Sequence, residues 1–377
     1  MKIGIVCYPT FGGSGVVATE LGMALGLRGH EVHFITYNQP VRLNFLSKNV
    51  YFHEVFVEEY PLFQYQPYEL ALSSKMVSIA ERYQLDILHV HYAIPHAYAA
   101  FMAKQMLKTK GIDIKVVTTL HGTDITLVGS HPIYKKAVEF SINNSDIVTT
   151  VSESLKQDTL RLFAIKKEII VIPNFIELDK YPDHLEEECQ RSTLALPNER
   201  ILVHISNFRP VKRIEDVVLV FKKILKQISA KLLLVGEGPE RKKVNALVKK
   251  LNIRDKILFL GNSQEVNKIL CYADLFLLPS ETESFGLAAL EAMAAKTPVI
   301  CTNSGGLPEV NVQGVTGFLS AVGDVEDMAK NALKILKDDK VLEKFKQQAF
   351  AHAKNFELER ILPKYEAVYR AIKKGCC

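Results

Sequence analysis

Two glutamates and the N-terminus of a predicted helix, all in the second half of the sequence, could together bind a phosphorylated sugar. Glu283 and Glu291 are separated by seven residues. The apolar run 275–278 predicts a buried strand, and the strong helix formers of 285–295 predict a helix after it. Free backbone N–H groups at a helix start favour an anion, here from Ser284, Phe285 and Gly286. We therefore predict a diphosphate at this helix start, with Glu283 and Glu291 accepting hydroxyl hydrogens; solvated glutamates on an ordinary strand–turn–helix are the alternative.

Basic residues follow another predicted strand, 201–206, in the segment Asn207–Arg213. Arg209 and Lys212 are placed to stabilise the negative charge that a diphosphate gains when its bond to a sugar breaks. The sequence has no Asp-x-Asp pair of the kind that holds a divalent metal on a sugar nucleotide. We therefore predict a site that needs neither a metal ion nor a cofactor.

A glycine signature, Gly13-x-Gly15-x-x-Ala18, follows the first predicted strand. It fits the relaxed dinucleotide fingerprint, but the acidic residue expected after the second strand is absent from 36–40. The N–H groups near Ser14 and Gly15 could instead face a phosphate at a helix start. A purely structural turn is the third alternative.

His121 begins the segment His-Gly-Thr-Asp124 after an apolar strand, where it could either hydrogen-bond a ligand or serve the structure. His89 and His91 share one face of a predicted strand. No third ligand with suitable spacing accompanies them, so a zinc site is not expected.

Alternating strand and helix patterns run through both halves of the chain, which predicts an α/β protein with two Rossmann-like, doubly wound domains facing across a cleft. The pattern breaks at 173–182, and the polar stretch 183–192 is interpreted as the interdomain connection. Ligands are expected at the carboxyl ends of the strands. The predicted strands are 3–7, 31–36, 51–55, 87–91, 115–120, 146–151, 169–172, 201–206, 231–235, 257–260, 275–278 and 298–301. The predicted helices are 15–28, 68–83, 96–108, 132–143, 152–163, 214–227, 240–251, 265–272, 285–295, 325–337, 341–354 and 357–373.

Composition narrows the class of protein. The chain has 377 residues, of which 48% are hydrophobic and 24% charged, with a net charge of +5. These values are those of a soluble globular protein, and the dispersed lysines favour solvated helix faces over a nucleic-acid surface. The six cysteines show no metal or disulfide spacing. We expect no signal peptide, no membrane-spanning segment and a cytoplasmic location; a homo-oligomer is left open.

Taken together, the motifs resemble those of the retaining glycosyltransferases of family 4, which have the GT-B fold. The resemblance covers nearly the whole chain and rests on PSETESFGLAALEAMA, VGEGPE, SNFRPVK and NSGGLPEV, in the order in which the family has them. It implies an acceptor-binding domain at 1–173 and a nucleotide-sugar domain at 174–357. It also implies that a final helix, about 358–373, packs back on the first domain.

The family's site residues carry over onto matching positions. Glu291 is expected to bind the ribose, Glu283 the donor sugar, and Arg209 or Lys212 the diphosphate, while His121 contacts the sugar near the reacting carbon. The family often has Arg where this chain has Asn207, and Arg209 is expected to supply that charge. The catalytic set is thus His121, Arg209, Lys212 and Glu283, and the donor-binding set is Gly15, Asn207, Ser263, Ser284, Phe285, Gly286, Leu287 and Glu291.

Stretches of the first half, including FQYQPYELALSSKM and HVHYAIPHAYAAF, are most similar to the family members of bacillithiol synthesis. This similarity implies UDP-N-acetylglucosamine as donor and L-malate as acceptor. Malate needs a cation and hydroxyl-bearing partners, and the expected acceptor residues are Ser14, Arg42, Tyr92 and Thr123. The alternatives are another family 4 transferase, a dinucleotide-dependent oxidoreductase and a non-catalytic sugar-binding protein.

Overall fold

The structure is a computed structural model that describes residues 1–10, 12–44, 46–59, 61–181, 191–263 and 265–373. The chain divides into two compact units. Unit 1 comprises Met1–Asn174 together with Glu359–Cys377, and unit 2 comprises Phe175–Leu358. Each division lies one residue beyond the boundary that the sequence predicts. The stretch predicted as interdomain connection falls largely on 182–190, outside the described residues, and 175–181 belongs to unit 2.

Unit 1 contains a seven-stranded parallel sheet in the order β3-β2-β1-β4-β5-β6-β7. Strands β4 and β6 are buried along their whole length, as is typical of parallel sheets covered on both faces. The strands are β1 Lys2–Val6, β2 Glu31–Thr36, β3 Val50–Glu54, β4 Ile87–His91, β5 Lys115–Leu120, β6 Ile147–Thr150 and β7 Ile169–Val171. The helices between them are α1 Gly13–Leu27, α2 Tyr68–Tyr83, α3 Tyr98–Lys108, α4 Pro132–Asn144 and α5 Glu153–Leu162.

Unit 2 contains a six-stranded parallel sheet in the order β10-β9-β8-β11-β12-β13. The strands are β8 Arg200–Ile205, β9 Ala230–Val235, β10 Ile257–Gly261, β11 Leu275–Leu278, β12 Val299–Thr302 and β13 Gly317–Ser320. The helices are α6 Ile214–Ile224, α7 Arg241–Lys250, α8 Val266–Leu270, α9 Leu287–Ala294, α10 Leu307–Val310, α11 Val325–Leu336 and α12 Asp339–Ala353. The two Rossmann-like units confirm the predicted fold class.

The last helix, α13 Leu358–Lys373, belongs almost entirely to unit 1. Its Tyr365 and Tyr369 are fully buried. The hydroxyl of Tyr369 lies 2.7 Å from Nδ1 of His89 on β4, and Lys373 pairs with Asp86 at 3.0 Å. The apolar face of α13 therefore forms part of the core of unit 1.

Each sheet reverses its strand order once, and these switch points determine where ligands can bind. The reversal lies between β1 and β4 in unit 1 and between β8 and β11 in unit 2. At such points the connections after the two adjacent strands diverge to opposite faces, which opens a crevice at the carboxyl edge. The loops after β1, β4, β8 and β11 are therefore the first places to look for a site.

Two elements of unit 2 were not predicted from the sequence. The segment of α10 is absent from the predicted helices, and β13 was missed because its four residues contain only two large apolar side chains and begin with a glycine. Gly317 is needed there, since a Cβ at this position would lie 1.7 Å from the carbonyl oxygen of Val299.

None of the described helices combines the length and the apolar character that a bilayer crossing requires. The described cysteines, Cys7, Cys271 and Cys301, form no disulfide with one another.

Candidate active site

A cation and a carboxylate lie side by side at the switch point of unit 2. Nζ of Lys212, in the loop after β8, lies 2.5 Å from Oε1 of Glu283, in the loop after β11. The hydroxyl of Ser280 donates to the same oxygen at 2.8 Å. The Lys212 and Glu283 side chains keep 20% and 14% of their surface exposed, so both can still reach a ligand. The structure thus brings together two residues that the sequence predicts as catalytic.

Backbone hydrogen bonds hold the loop of Glu283 against its two neighbours. The N–H of Glu281 donates to the carbonyl of Val211 at 2.8 Å, which ties it to the loop after β8. The carbonyl of Glu283 accepts from the N–H of Gly306 at 2.8 Å, and Ser304 Oγ donates to the carbonyl of Glu281 at 2.6 Å. The Glu283 carboxylate is therefore presented from a loop fixed on both sides.

Two glycines after β12 make this close packing possible. A Cβ on Gly305 would lie 2.0 Å from the carbonyl oxygen of Glu283, and one on Gly306 would lie 2.4 Å from that of Ser284. Gly305 also has a φ of +57°, which L side chains rarely adopt. The motif NSGGLPEV, one of the stretches that carry the family resemblance, thus lies directly against the Glu283 loop.

Helix α9 begins two residues later than predicted, at Leu287, with Gly286 as its N-cap at a φ of +100°. The carbonyl of Gly286 accepts the N–H groups of Ala289 and Leu290. The Phe285 side chain is 3% exposed, and its ring packs edge-on against Phe356 at 5.7 Å. A ligand could therefore meet Phe285 only through its backbone. Glu291 lies on α9, one turn from Leu287, and is partly exposed.

The loop after β8 is supported by the glycines after β9. A Cβ on Gly236 would lie 1.8 Å from the carbonyl oxygen of Ser206, and one on Gly238 would lie 2.1 Å from that of Asn207. The side chains of Asn207 and Arg209 are exposed on this loop. Arg209 is thus available to an anion at the same edge as Lys212.

The remaining donor-binding candidate of unit 2 lies farther along the sheet edge. Ser263 follows β10, two strands from β8, and its hydroxyl accepts the N–H of Glu265 at 3.1 Å. Its role in donor binding stays a prediction.

A buried histidine that the sequence analysis did not single out connects β8 and β11. Nδ1 of His204 donates to the carbonyl of Leu277 at 2.8 Å, because a carbonyl oxygen can only accept. Its Nε2 then accepts from the hydroxyl of Ser206, also at 2.8 Å. In the sequence, His204 is a single histidine within an apolar strand. Periodicity alone does not predict its hydrogen-bond partners.

In unit 1, hydroxyl groups meet at the corresponding switch point. Ser14 Oγ and the Tyr92 hydroxyl lie 2.6 Å apart, joining the first turn of α1 to the loop after β4. Tyr92 has a φ of +87°, a strained conformation for a bulky residue and one that is frequent at functional sites. The ring of Tyr92 lies 5.2 Å from that of His121, centroid to centroid. Three residues predicted to bind or convert substrate therefore share this edge.

Close packing of the backbone around Gly15 leaves no room for a side chain at this position. A Cβ here would lie 2.5 Å from the carbonyl oxygens of both Tyr8 and Thr10. The N–H of Gly15 donates to the carbonyl of Gly12 at 3.0 Å, within the first turn of α1. This corrects the expectation that the Gly15 N–H itself opens the helix. Its role in donor binding stays a prediction.

Asp124 holds the backbone around His121. One carboxylate oxygen accepts from the N–H groups of His121 at 3.2 Å and Gly122 at 3.0 Å, and the other accepts from Ala93 N–H at 2.8 Å. Burial raises the pKa of Asp124 to about 6, against the opposite effect of these hydrogen bonds. Asp124 therefore fixes the loop after β5 to the loop after β4.

The other acceptor candidates are less closely grouped. Arg42 donates to the buried Glu20 on α1 at 2.8 Å, which gives its guanidinium a structural partner. Thr123 begins the short turn 123–127 directly after Gly122 and is partly exposed. Their roles in acceptor binding stay predictions.

Acid should destabilise unit 1 through a group of buried histidines near the ends of β4 and β5, namely His89, His91, His96 and His121. Burial lowers the pKa of each below the ordinary 6.5, to about 3 for His89 and His121 and about 4 for His96. Below about pH 6.5 the unfolded chain therefore binds more protons than the folded one, and stability falls as the pH falls. Each histidine should remove about 2 kcal/mol between about pH 7 and pH 5.

Asp124 partly offsets this loss, since its raised pKa lets the folded chain take up a proton near pH 6. We expect a clear drop in the free energy of unfolding by urea at about pH 5, with amide exchange accelerating first in unit 1. An unfolding free energy that stays constant between about pH 7 and pH 5 would contradict this assignment.

Groups of three or more His, Cys, Asp or Glu side chains arranged to hold a metal ion do not occur among the described residues.

Comparisons with known proteins agree with this arrangement. The family "Glycosyltransferase Family 4" matches residues 11–180, and "Glycosyl transferases group 1" matches residues 186–352. The chain is 50% identical over 370 residues to the N-acetyl-alpha-D-glucosaminyl L-malate synthase of Bacillus anthracis, covering 98% of this chain and 96% of that one. It is 30% identical to an uncharacterized glycosyltransferase of Methanocaldococcus jannaschii, with 90% of each chain covered.

Solved structures with the same fold include the sucrose-phosphate synthase of Thermosynechococcus elongatus, with a TM-score of 0.80, 22% identity and full coverage of both chains. Anabaena HepE in complex with UDP and glucose gives a TM-score of 0.82 at 19% identity, over 98% of this chain and 100% of that one. At these identities the two structures support the fold alone. The sequence relatives and the paired family matches lead further: the chain is a glycosyltransferase with the GT-B fold and belongs to glycosyltransferase family 4.

Proposed function

We propose that this enzyme transfers N-acetylglucosamine from UDP-N-acetylglucosamine to the hydroxyl of L-malate, with the α configuration retained, as the first step of bacillithiol synthesis. The observation that carries the proposal is the 50% identity, over 98% of the chain, to a protein named for making this product. The proposal places the reaction in the cytoplasm, where nucleotide sugars are made.

The arrangement in unit 2 supports the donor half of the reaction. The leaving diphosphate gains negative charge as its bond to the sugar breaks, and Lys212 and Arg209 lie at the edge where that charge can be stabilised. Without a ligand, Lys212 is neutralised by Glu283. When the donor binds, Lys212 turns to the phosphate oxygens and Glu283 accepts hydroxyl hydrogens of the sugar, so the pair holds both groups ready in advance.

Unit 1 supports the acceptor half. Malate carries two carboxylates and a hydroxyl, and the Ser14 and Tyr92 hydroxyls lie together at the switch point of its sheet. Retention is explained by substitution on one face of the sugar, in which a donor diphosphate oxygen takes the proton of the attacking hydroxyl. The chain then contributes position and charge stabilisation, and no nucleophile is needed.

Mass detection of the product tests the proposal. The purified enzyme is incubated with UDP- or GDP-sugars and with L-malate or other hydroxy acids and sugars. We expect product above background only with UDP-N-acetylglucosamine and L-malate. Efficient transfer from another donor, or to another acceptor but not to malate, would identify the enzyme as a family 4 transferase of different specificity.

The proposed reaction needs no metal ion, because the basic side chains of unit 2 stabilise the leaving group. Initial rates should therefore stay within about twofold of the untreated enzyme in excess EDTA, since the charge stabilisation is supplied by the protein. Complete loss of activity, restored by Mg²⁺ but not by Na⁺, would overturn the metal-free mechanism while leaving the substrates as proposed.

A further inference from the structure

A row of buried histidines lies behind the predicted contact of His121 with substrate. On β4, the ring of His91 lies 4.6 Å from that of His89 on one side and 5.1 Å from that of His121 on the other, centroid to centroid. Burial lowers the pKa of all three well below neutrality. Each ring is therefore neutral at physiological pH and carries one N–H, so the position of that proton can be assigned from its partners.

A fourth buried histidine, His96, shows which kind of ring nitrogen is left without a hydrogen bond in this region. Its Nδ1 lies 2.5 Å from the carbonyl oxygen of His91, and since a carbonyl only accepts, the proton of His96 must be on Nδ1. Nε2 of His96 is then a bare acceptor, buried without a hydrogen-bond partner among the described residues. His96 therefore pairs its N–H group and leaves the lone pair of Nε2 without a hydrogen bond from the described residues.

The same reasoning decides the proton between His91 and His121. Nδ1 of His91 lies 2.8 Å from Nε2 of His121, so one of these atoms donates to the other. If His121 donated, His91 would carry its proton on Nε2, which is buried and has no partner in the described part of the chain. A buried N–H without an acceptor is rarer and less favourable than a bare acceptor nitrogen. His91 is therefore the donor.

We propose that His91 is a positioning residue that fixes His121 as the tautomer with its proton on Nδ1, so that His121 donates a hydrogen bond to the substrate. The inference rests on the proposed function in one respect, namely that His121 touches substrate. Nε2 of His121 is occupied by His91, which leaves Nδ1 as the ring atom for a ligand. An N–H at this atom cannot accept the proton of the attacking hydroxyl, so His121 acts as a hydrogen-bond donor and the proton goes to the donor diphosphate.

The tautomer can be read without substrate, from the ring ¹⁵N resonances of histidine-labelled enzyme, with His121 assigned by its loss in His121→Gln. We expect a protonated Nδ1 and a bare Nε2 for His121. His91→Phe keeps a flat ring but removes the donor, and it should give a mixture of tautomers and a roughly tenfold lower kcat with little change in KM. His91→Asn carries an N–H on the atom bonded to Cγ, as histidine does, and should restore most of kcat.

Tyr369→Phe is the matched control, since it removes a buried hydrogen bond to His89 in the same cluster and leaves the pair of His91 and His121 intact. This variant should have a lower melting temperature than the wild type but the same His121 tautomer and the same kcat. A proton on Nε2 of His121 in the wild type would overturn the inference, as would equal losses of kcat in His91→Phe and Tyr369→Phe. A His121 with its proton on Nδ1 in an enzyme that does not glycosylate malate would instead refute the substrate proposal and keep the tautomer assignment.

Discussion

Lys212→Ala should lower kcat/KM for sugar transfer by roughly 10²–10³-fold, the usual loss when one donor that stabilises a developing negative charge is removed. The ammonium of Lys212 lies at the switch point of unit 2, 2.5 Å from Glu283. Its loss leaves Arg209 to stabilise the leaving diphosphate, since Arg213 of the same loop pairs with Asp216. Steady-state kinetics with the donor varied at saturating acceptor measures the effect, and the loss should fall mainly on kcat because the charge develops in the transition state.

The fold should survive this change. Lys212 is on a loop and partly exposed, and Glu283 keeps the hydrogen bond from Ser280. Lys243→Ala is a matched control, because it breaks an exposed pair with Glu215 in the same unit and should leave kcat/KM within about twofold. Near-normal turnover of Lys212→Ala would remove Lys212 from the mechanism.

Gly305→Ala should lower kcat/KM by roughly 10²-fold or more, since displacements of about 1 Å at a site have this effect. The added methyl group would lie 2.0 Å from the carbonyl oxygen of Glu283, so the loop that carries this carboxylate must move. Overpacking of this kind also lowers stability by about 1–3 kcal/mol. Kinetics and urea unfolding on the same preparation separate the two effects.

Gly314→Ala provides the comparison within unit 2. Gly314 has a φ of +74°, so alanine meets similar backbone strain there, but no atom of the described residues lies within 4 Å of the added Cβ. This variant should lose about 1–2 kcal/mol of stability and keep its activity. If Gly305→Ala and Gly314→Ala have the same kcat/KM, the contact with the Glu283 loop does not control the site.

Strands with continuous apolar sequence were the most predictable part of the fold. The bounds of β11 are as predicted, because a continuous apolar run buried in a parallel sheet stands out from its flanks. The bounds of β4 are also as predicted, although two of its five residues are histidines. The short edge strand β13 and the four-residue helix α10 give no such contrast. They form because tertiary contacts outweigh weak local preference.

The positions of the site residues could be predicted from the sequence, but the side chains with which they pair could not. The strand-end rule singled out Lys212, Glu283 and His121, because all three follow apolar strands. Their partners come from other strands: Lys212 and Glu283 are 71 residues apart, and His91 and His121 are 30 apart. A single sequence carries no signal for these pairings. The contacts by which Ser280, Asp124 and Gly305 hold the site residues in place are therefore visible only in the tertiary structure.

The central claim is that Lys212 and the backbone N–H groups just before α9 hold the donor diphosphate, and a crystal structure of the enzyme with UDP tests it most directly. The account predicts phosphate oxygens about 3 Å from Nζ of Lys212 and from the backbone N–H groups at 284–286, with the bond between Lys212 and Glu283 lengthened or broken. A diphosphate bound away from both groups, with the Lys212–Glu283 pair unchanged, would contradict it.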